Sequence, residues 1–301
     1  MELIGREKAL VSHGYSEREV IALSYVSPED TREAVGRIIS RITDGVTRVK
    51  EPSCVMIGGQ PGSGKSTLML RMKNSPEGHN SVTVAMDDYR SYHPRYLEIE
   101  DAIRSHWEGR TETDVDSAGN DIACFTQRFA GTAVDMVDEY LTTFDDNGAY
   151  NIIFEWAMKE PEEPLDFMRM IASRGYTTDV IFMAVPAEVS RDACVLRADI
   201  MNSQGHVFRR IPRDFHDLSV ASLPDSADAI YRMGFVSEKI INNFYLLRRD
   251  DTVLWSSGYP GTPGPVFREC LESTEDLDDY INHPEEADNS YRHESAGLAD
   301  N

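Results

Sequence analysis

With 301 residues and 41% hydrophobic content, the chain is long enough to bury a sizeable core, in one large domain or two small ones. A formal net charge of −22 excludes a general nucleic-acid or anionic-membrane surface, because phosphate backbones are bound by net positive faces. Cys54, Cys124, Cys194 and Cys270 form no CxxC or Cys/His cluster and fit small buried hydrophobes of a reducing cytosol. With no apolar run of membrane-spanning length and no basic-then-apolar leader pattern, the expected location is cytoplasmic.

In residues 1–50 the spacing of Val35, Ile38, Ile39, Ile42 and Val46 predicts a flanking helix around Asp30 to Arg48. The first two dozen residues are expected to be a short appendage or a partner-binding arm. An apolar run, Val55 to Ile57, then leads into Gly59, Gln60, Pro61, Gly62, Ser63, Gly64, Lys65, Ser66 and Thr67, followed by helix-compatible residues. This is the strand, loop and helix arrangement of a phosphate-binding P-loop, with a plain glycine-rich turn as the alternative. Glycines let backbone N–H groups turn inward, and the following helix adds its positive end. Lys65 is placed to reach the β and γ phosphates of ATP, and the Ser66 hydroxyl to ligate Mg²⁺.

A second strand is expected over Ser81 to Met86, ending at Asp87 and Asp88, then a helix over 94–107. The polar stretch Glu108 to Asp121 reads as an exposed excursion. Helical periodicity returns from Phe125 to Phe144, and Asn151 to Phe154 forms a short buried strand with Glu155 at its end. Further on come a helix from Pro161 to about Arg174, a strand over Thr177 to Val185, a helix over Ser190 to Met201, and a hairpin of Phe244 to Arg248 with Thr252 to Trp255. The expected fold class is therefore α/β, with a mostly parallel central sheet covered by helices on both faces and a C-terminal hairpin. The expected divisions are 1–50 as a helical flank, 51–258 as the P-loop domain and 259–301 as an acidic, disordered tail.

In such sheets ligands sit at the carboxyl ends of the strands, where Gly59, Asp87 and Glu155 all fall. Asp87 is a candidate base for an incoming hydroxyl, or a turn aspartate. Arg197, with Arg209, Arg210 and Arg213, suggests a lid neutralising a transferring phosphoryl group, or a set of salt bridges. Glu155 is a candidate for Mg²⁺ or a substrate hydroxyl, or a strand-end cap. Tyr89, Tyr92, His93, Tyr96 and Phe125 form either a sugar or base pocket or part of the core.

Taken in order, these segments resemble the zeta toxin family of bacterial toxin–antitoxin systems, P-loop kinases of UDP-N-acetylglucosamine. The likeness runs over roughly residues 50 to 257. It includes Gly58 to Ser66, Asp87-Asp88-Tyr89-Arg90 with His93-Pro94, and Asn151 to Glu155. It continues with Gly175-Tyr176, Met183 to Pro186, Arg197, Arg209 before Pro212, and His216-Asp217. The resemblance implies a P-loop kinase-like three-layer fold with Lys65 and Ser66 serving ATP and Mg²⁺. It makes Asp87 the base that activates the sugar 3'-hydroxyl, and Arg197 and Arg209 the stabilisers of developing charge. Glu155, Arg90 and Lys159 fall on the sugar-nucleotide side, and a small helical antitoxin is the implied partner. Two departures lie on the acceptor side: Trp156-Ala157-Met158-Lys159 replaces a Gly-Thr-Gly-Arg-like run, and Gly131 stands where a sugar-binding glutamate is common. The rival expectations are a phosphotransferase with a different small-molecule acceptor, such as an antibiotic or dinucleotide, and an ATP-responsive binding module without transfer.

Overall fold

A computed structural model describes residues 2–108, 112–203 and 211–274. Its centre is a six-stranded sheet, β1 (Ser53–Gly58), β2 (Ser81–Ala85), β3 (Asn151–Glu155), β4 (Thr177–Met183), β5 (Asn243–Leu247) and β6 (Val253–Ser256), in the order β2-β3-β1-β4-β5-β6. β1 to β5 run parallel, and β6 returns antiparallel as the expected hairpin. Glu155 pairs with Ile57 on one side and Ala85 on the other, so the carboxyl ends of β1, β2 and β3 are level.

Strand alternation assigns the two faces. Cys54, Met56, Val82, Val84, Ile152, Phe154, Val180, Phe182, Phe244 and Leu246 point into one large core. That core is covered by α3 (Pro28–Ile42), α7 (Glu112–Thr142), α8 (Glu162–Ser173), α10 (Arg213–Ile230) and α11 (Pro263–Glu272). Ile57, Ala85, Ile153, Ile181 and Met183 face the other way, onto Leu68 and Met69 of α4 (Lys65–Lys73). Both faces are therefore buried, as continuous apolar parallel strands require.

Several boundaries differ from expectation. The flanking helix α3 is capped by Ser27, which accepts from Asp30 N, and ends at Ile42 rather than Arg48, because the chain turns at Gly45 with φ 69°. Asp87 lies not on β2 itself but in the short α5 (Met86–Tyr89) that follows. The excursion expected over Glu108 to Asp121 is instead helical from Glu112, continuous with the rest of α7. From Ile122 onward α7 contributes to a second core, where α1 (Gly5–Ser12), α2 (Glu17–Ser24) and α6 (Tyr96–Trp107) lie against it around Leu10, Tyr15, Val20, Ile99, Ile103, Ile122 and Phe125. Beyond residue 258, Pro263 opens α11, and Phe267 is wholly buried, so the folded part extends further than expected. The remainder of the acidic tail, 275–301, lies outside the described residues. All four cysteines are free and buried, as anticipated. Among the described residues no helix is long and apolar enough to cross a membrane.

Candidate active site

The loop after β1 adopts left-handed backbone at Gly59, Gly62 and Gly64, with φ of 144°, 77° and 96°. At Gly62 the demand is also steric: a Cβ there would lie 2.0 Å from Ser190 O and 2.9 Å from Cys194 Sγ, because α9 (Ala187–Ser203) is packed directly against the loop. Gly64 caps α4, whose first residue is Lys65. Ser63 Oγ is buried without a hydrogen-bond partner, and its hydroxyl is able to donate to a phosphate oxygen. Gln60 is fixed from outside by donating its Nε2 to Val185 O at 2.6 Å.

Lys65 is buried, and its Nζ donates to Gln60 O at 3.0 Å and stands 3.9 Å from Glu155 Oε1. Burial pulls its pKa down, and Glu155 and Asp87 push it back up, while Arg197 on α9 adds to the lowering. Lys65, Glu155, Asp87 and Arg197, brought in by α4, β3, α5 and α9, therefore share one electrostatic neighbourhood at the carboxyl end of the sheet.

Asp87 is largely exposed, and its Oδ1 accepts from Arg90 Nε at 2.9 Å. Arg90, expected on the substrate side, is buried behind Asp87, with further bonds from its guanidinium to Ala123 O, Thr126 Oγ1 and Gln127 Oε1. Lys159 rests its ammonium over the Phe215 ring at 4.8 Å and beside Glu160 at 3.7 Å. Arg209 and Arg210 lie outside the described residues, and Arg213 of the expected lid pairs with Asp217 at 3.6 Å. Tyr89, His93 and Phe125 are core residues rather than pocket walls, and Tyr92 accepts from Arg41 on α3.

The Trp156 to Lys159 run keeps close to the cradle. Trp156 N donates to Ile57 O, and Gly59 N to Ala157 O. Met158 takes φ 49°, its carbonyl accepts from Ser226 Oγ at 2.6 Å, and its methyl fills the space above Gly58, where a Cβ would meet it at 2.4 Å.

Residues 37–259 match the family model described as Zeta toxin. The chain belongs to the zeta toxin family. Toxin PezT of Streptococcus pneumoniae serotype 4 is 24% identical over 229 residues, covering 75% of this chain and 80% of that protein. The fold is shared with a structure from the PezAT chromosomal toxin–antitoxin system of the same species, at a TM-score of 0.69 and 22% identity over 88% of this chain and 98% of that one. The AvrRxo1-ORF1:AvrRxo1-ORF2 complex solved with ATP is more distant, at a TM-score of 0.50 and 14% identity over 98% and 90% of the two chains.

Three groups near the zeta toxin P-loop and Asp87 were not singled out as site residues by sequence reasoning. Arg249, 187 residues beyond the loop, donates to Gly62 O at 2.5 Å and Ser63 O at 3.4 Å, and its own carbonyl is held by both Nη atoms of Arg71. Ser190 Oγ lies 2.9 Å from His216 Nε2 and 3.5 Å from Gln60 Nε2, tying the loop to α10; burial lowers the His216 pKa. Gln127 accepts from Arg90 behind Asp87. Only His216 stood within a recognisable motif.

Proposed function

We propose that this chain is an ATP-dependent kinase that transfers the γ-phosphoryl group to the 3'-hydroxyl of UDP-N-acetylglucosamine or a related sugar nucleotide, and that it acts as a toxin restrained by a small helical antitoxin. The observation that carries the reading is the buried Lys65, 3.9 Å from Glu155 at the carboxyl end of the sheet, beside a glycine cradle whose buried Ser63 hydroxyl has no partner. The toxin names of the relatives and the ATP carried by a solved neighbour support it.

Within this reading the N–H groups of Gly62 and of Gly64 to Thr67, with the Lys65 ammonium, hold the triphosphate, while Ser63 offers a hydroxyl to a phosphate oxygen. The oxygen donors Ser66 and Glu155 fit Mg²⁺, a hard cation, which supplies charge neutralisation on the phosphates when bound. Asp87 takes the proton of the acceptor hydroxyl as its oxygen bonds to the γ phosphorus and the bridging bond to ADP breaks. Arg197 and Arg209 oppose the charge that develops on the transferring group. This is catalysis by position and electrostatics.

Incubation with Mg-ATP and UDP-N-acetylglucosamine, followed by mass spectrometry, is expected to yield a 3'-phosphorylated product. Absence of product removes that acceptor. The Trp156 to Lys159 departure, with Lys159 engaged by Phe215, favours a second reading in which the same kinase site serves another small-molecule acceptor, and an acceptor screen distinguishes the two.

A further inference from the structure

The proposed reaction uses Asp87 but leaves unexplained the polar cluster behind it. Arg90 spends its guanidinium on four hydrogen bonds, to Asp87 Oδ1, Ala123 O, Thr126 Oγ1 and Gln127 Oε1. Gln127 Oε1 accepts a second donor at the same distance, 3.1 Å, from Arg6 Nη1 on α1. Helix α1 is itself tightly held on α7. Arg128 of α7 forks onto the wholly buried Glu7 at 3.0 and 2.8 Å, and Asp121 collects His13, Tyr15 and Trp107. Leu10, Tyr15 and Val20 complete the second apolar core. These N-terminal residues precede the segment matched by the family model, which begins at residue 37.

We propose that helix α1 is a positioning element for Asp87: Arg6 and Arg90 donate to the same Gln127 oxygen, so the N-terminal layer fixes the guanidinium that holds the proposed base. This rests on the reading of Asp87 as base. A guanidinium is planar, so its hydrogen bonds on one edge set the direction of the others. Asp87 stands exposed on a four-residue helix, and with Arg90 released its carboxylate samples several rotamers instead of one. Misplacement on the scale of an ångström is enough to slow transfer by roughly a hundredfold. Arg6, Gln127 and Arg90 are thus positioning residues, and the expected appendage is part of the acceptor half of the site.

The test uses the full chain. Gln127→Leu is expected to lower kcat about tenfold or more while leaving the ATP dissociation constant within about twofold, since the cradle lies on other elements. Gln127→Glu, which keeps the accepting oxygen, restores most of kcat. Arg6→Met gives a smaller loss with the same split, and serves if Gln127→Leu fails to fold. The side-chain Nε–H signal of Arg90 in a nitrogen-15 NMR spectrum is expected to exchange faster with solvent in Gln127→Leu and in Arg6→Met. Unchanged kcat in a folded variant, equal losses of kcat and ATP affinity, or an unmoved Arg90 signal each overturn the proposal. The Arg90 signal needs no acceptor, so a wild type that phosphorylates nothing refutes the kinase reading while the coupling is still decided.

Discussion

Lys65 Nζ stands 3.9 Å from Glu155 Oε1, a buried cation facing a carboxylate where the triphosphate is proposed to lie. Burial disfavours the lysine charge and Glu155 restores part of it, so the two act as a counter-ion pair that the phosphates must enter. Lys65→Met is expected to abolish transfer and weaken ATP binding. Glu155→Gln is expected to tighten Mg-free ATP by roughly two- to fivefold, because a like charge leaves the site, yet to slow transfer. Calorimetric titration with and without Mg²⁺, beside a transfer assay, checks both.

Asp87→Asn retains an oxygen able to accept from Arg90 Nε, so the local geometry survives and only the base is lost. Transfer is expected to fall by about a hundredfold or more with little change in ATP affinity. Equal turnover in wild type and variant removes Asp87 from the base role.

Arg249 caps the outward carbonyls of Gly62 and Ser63, and the second of these peptides carries the Gly64 N–H proposed to face the triphosphate. Arg249→Met is expected to weaken ATP binding roughly tenfold, the value of a charge-assisted hydrogen bond. A variant that binds ATP as the wild type does shows that the loop holds its shape unaided.

Asp138, buried in α7 with Oδ1 lacking a hydrogen-bond partner, has its pKa pushed up to about 8, first by burial and then by Asp135. The folded state therefore holds a proton that the unfolded chain releases near its ordinary value of 3.8, and stability falls as pH rises from there towards 8. The slope for this one group is about 1.4 kcal/mol per pH unit. His93, lowered to about 4, and His216, also lowered, act in the opposite sense below the ordinary histidine value of 6.5. Urea unfolding of Asp138→Asn against wild type from pH 5 to 8 isolates the carboxyl: the gap between them should widen in the variant's favour as pH rises. A constant gap refutes the assignment.

Short apolar runs such as Val55 to Ile57 and Thr177 to Val185 made the parallel sheet legible, because a strand buried on both faces has little freedom in composition. The P-loop was legible for a related reason: Gly59, Gly62 and Gly64 occupy left-handed backbone, and at Gly62 a side chain would strike α9. Expectation failed at element boundaries, where local composition is a weak guide. The polar residues from Glu112 join a helix that packs against α1, α2 and α6, and Pro263 opens a helix inside what reads as an acidic tail.

By itself the sequence determined a P-loop on a parallel sheet, the zeta toxin resemblance, and Lys65, Asp87, Glu155, Arg197 and Arg209 as the groups to follow, the last of which lies outside the described residues. Only the tertiary structure decided that Arg90 braces Asp87 from behind, that Lys159 is engaged by Phe215, and that Arg249 and Arg6 belong to the story at all. Those roles depend on contacts between residues far apart in the chain, and such contacts follow from the packing of whole elements, which no local spacing encodes.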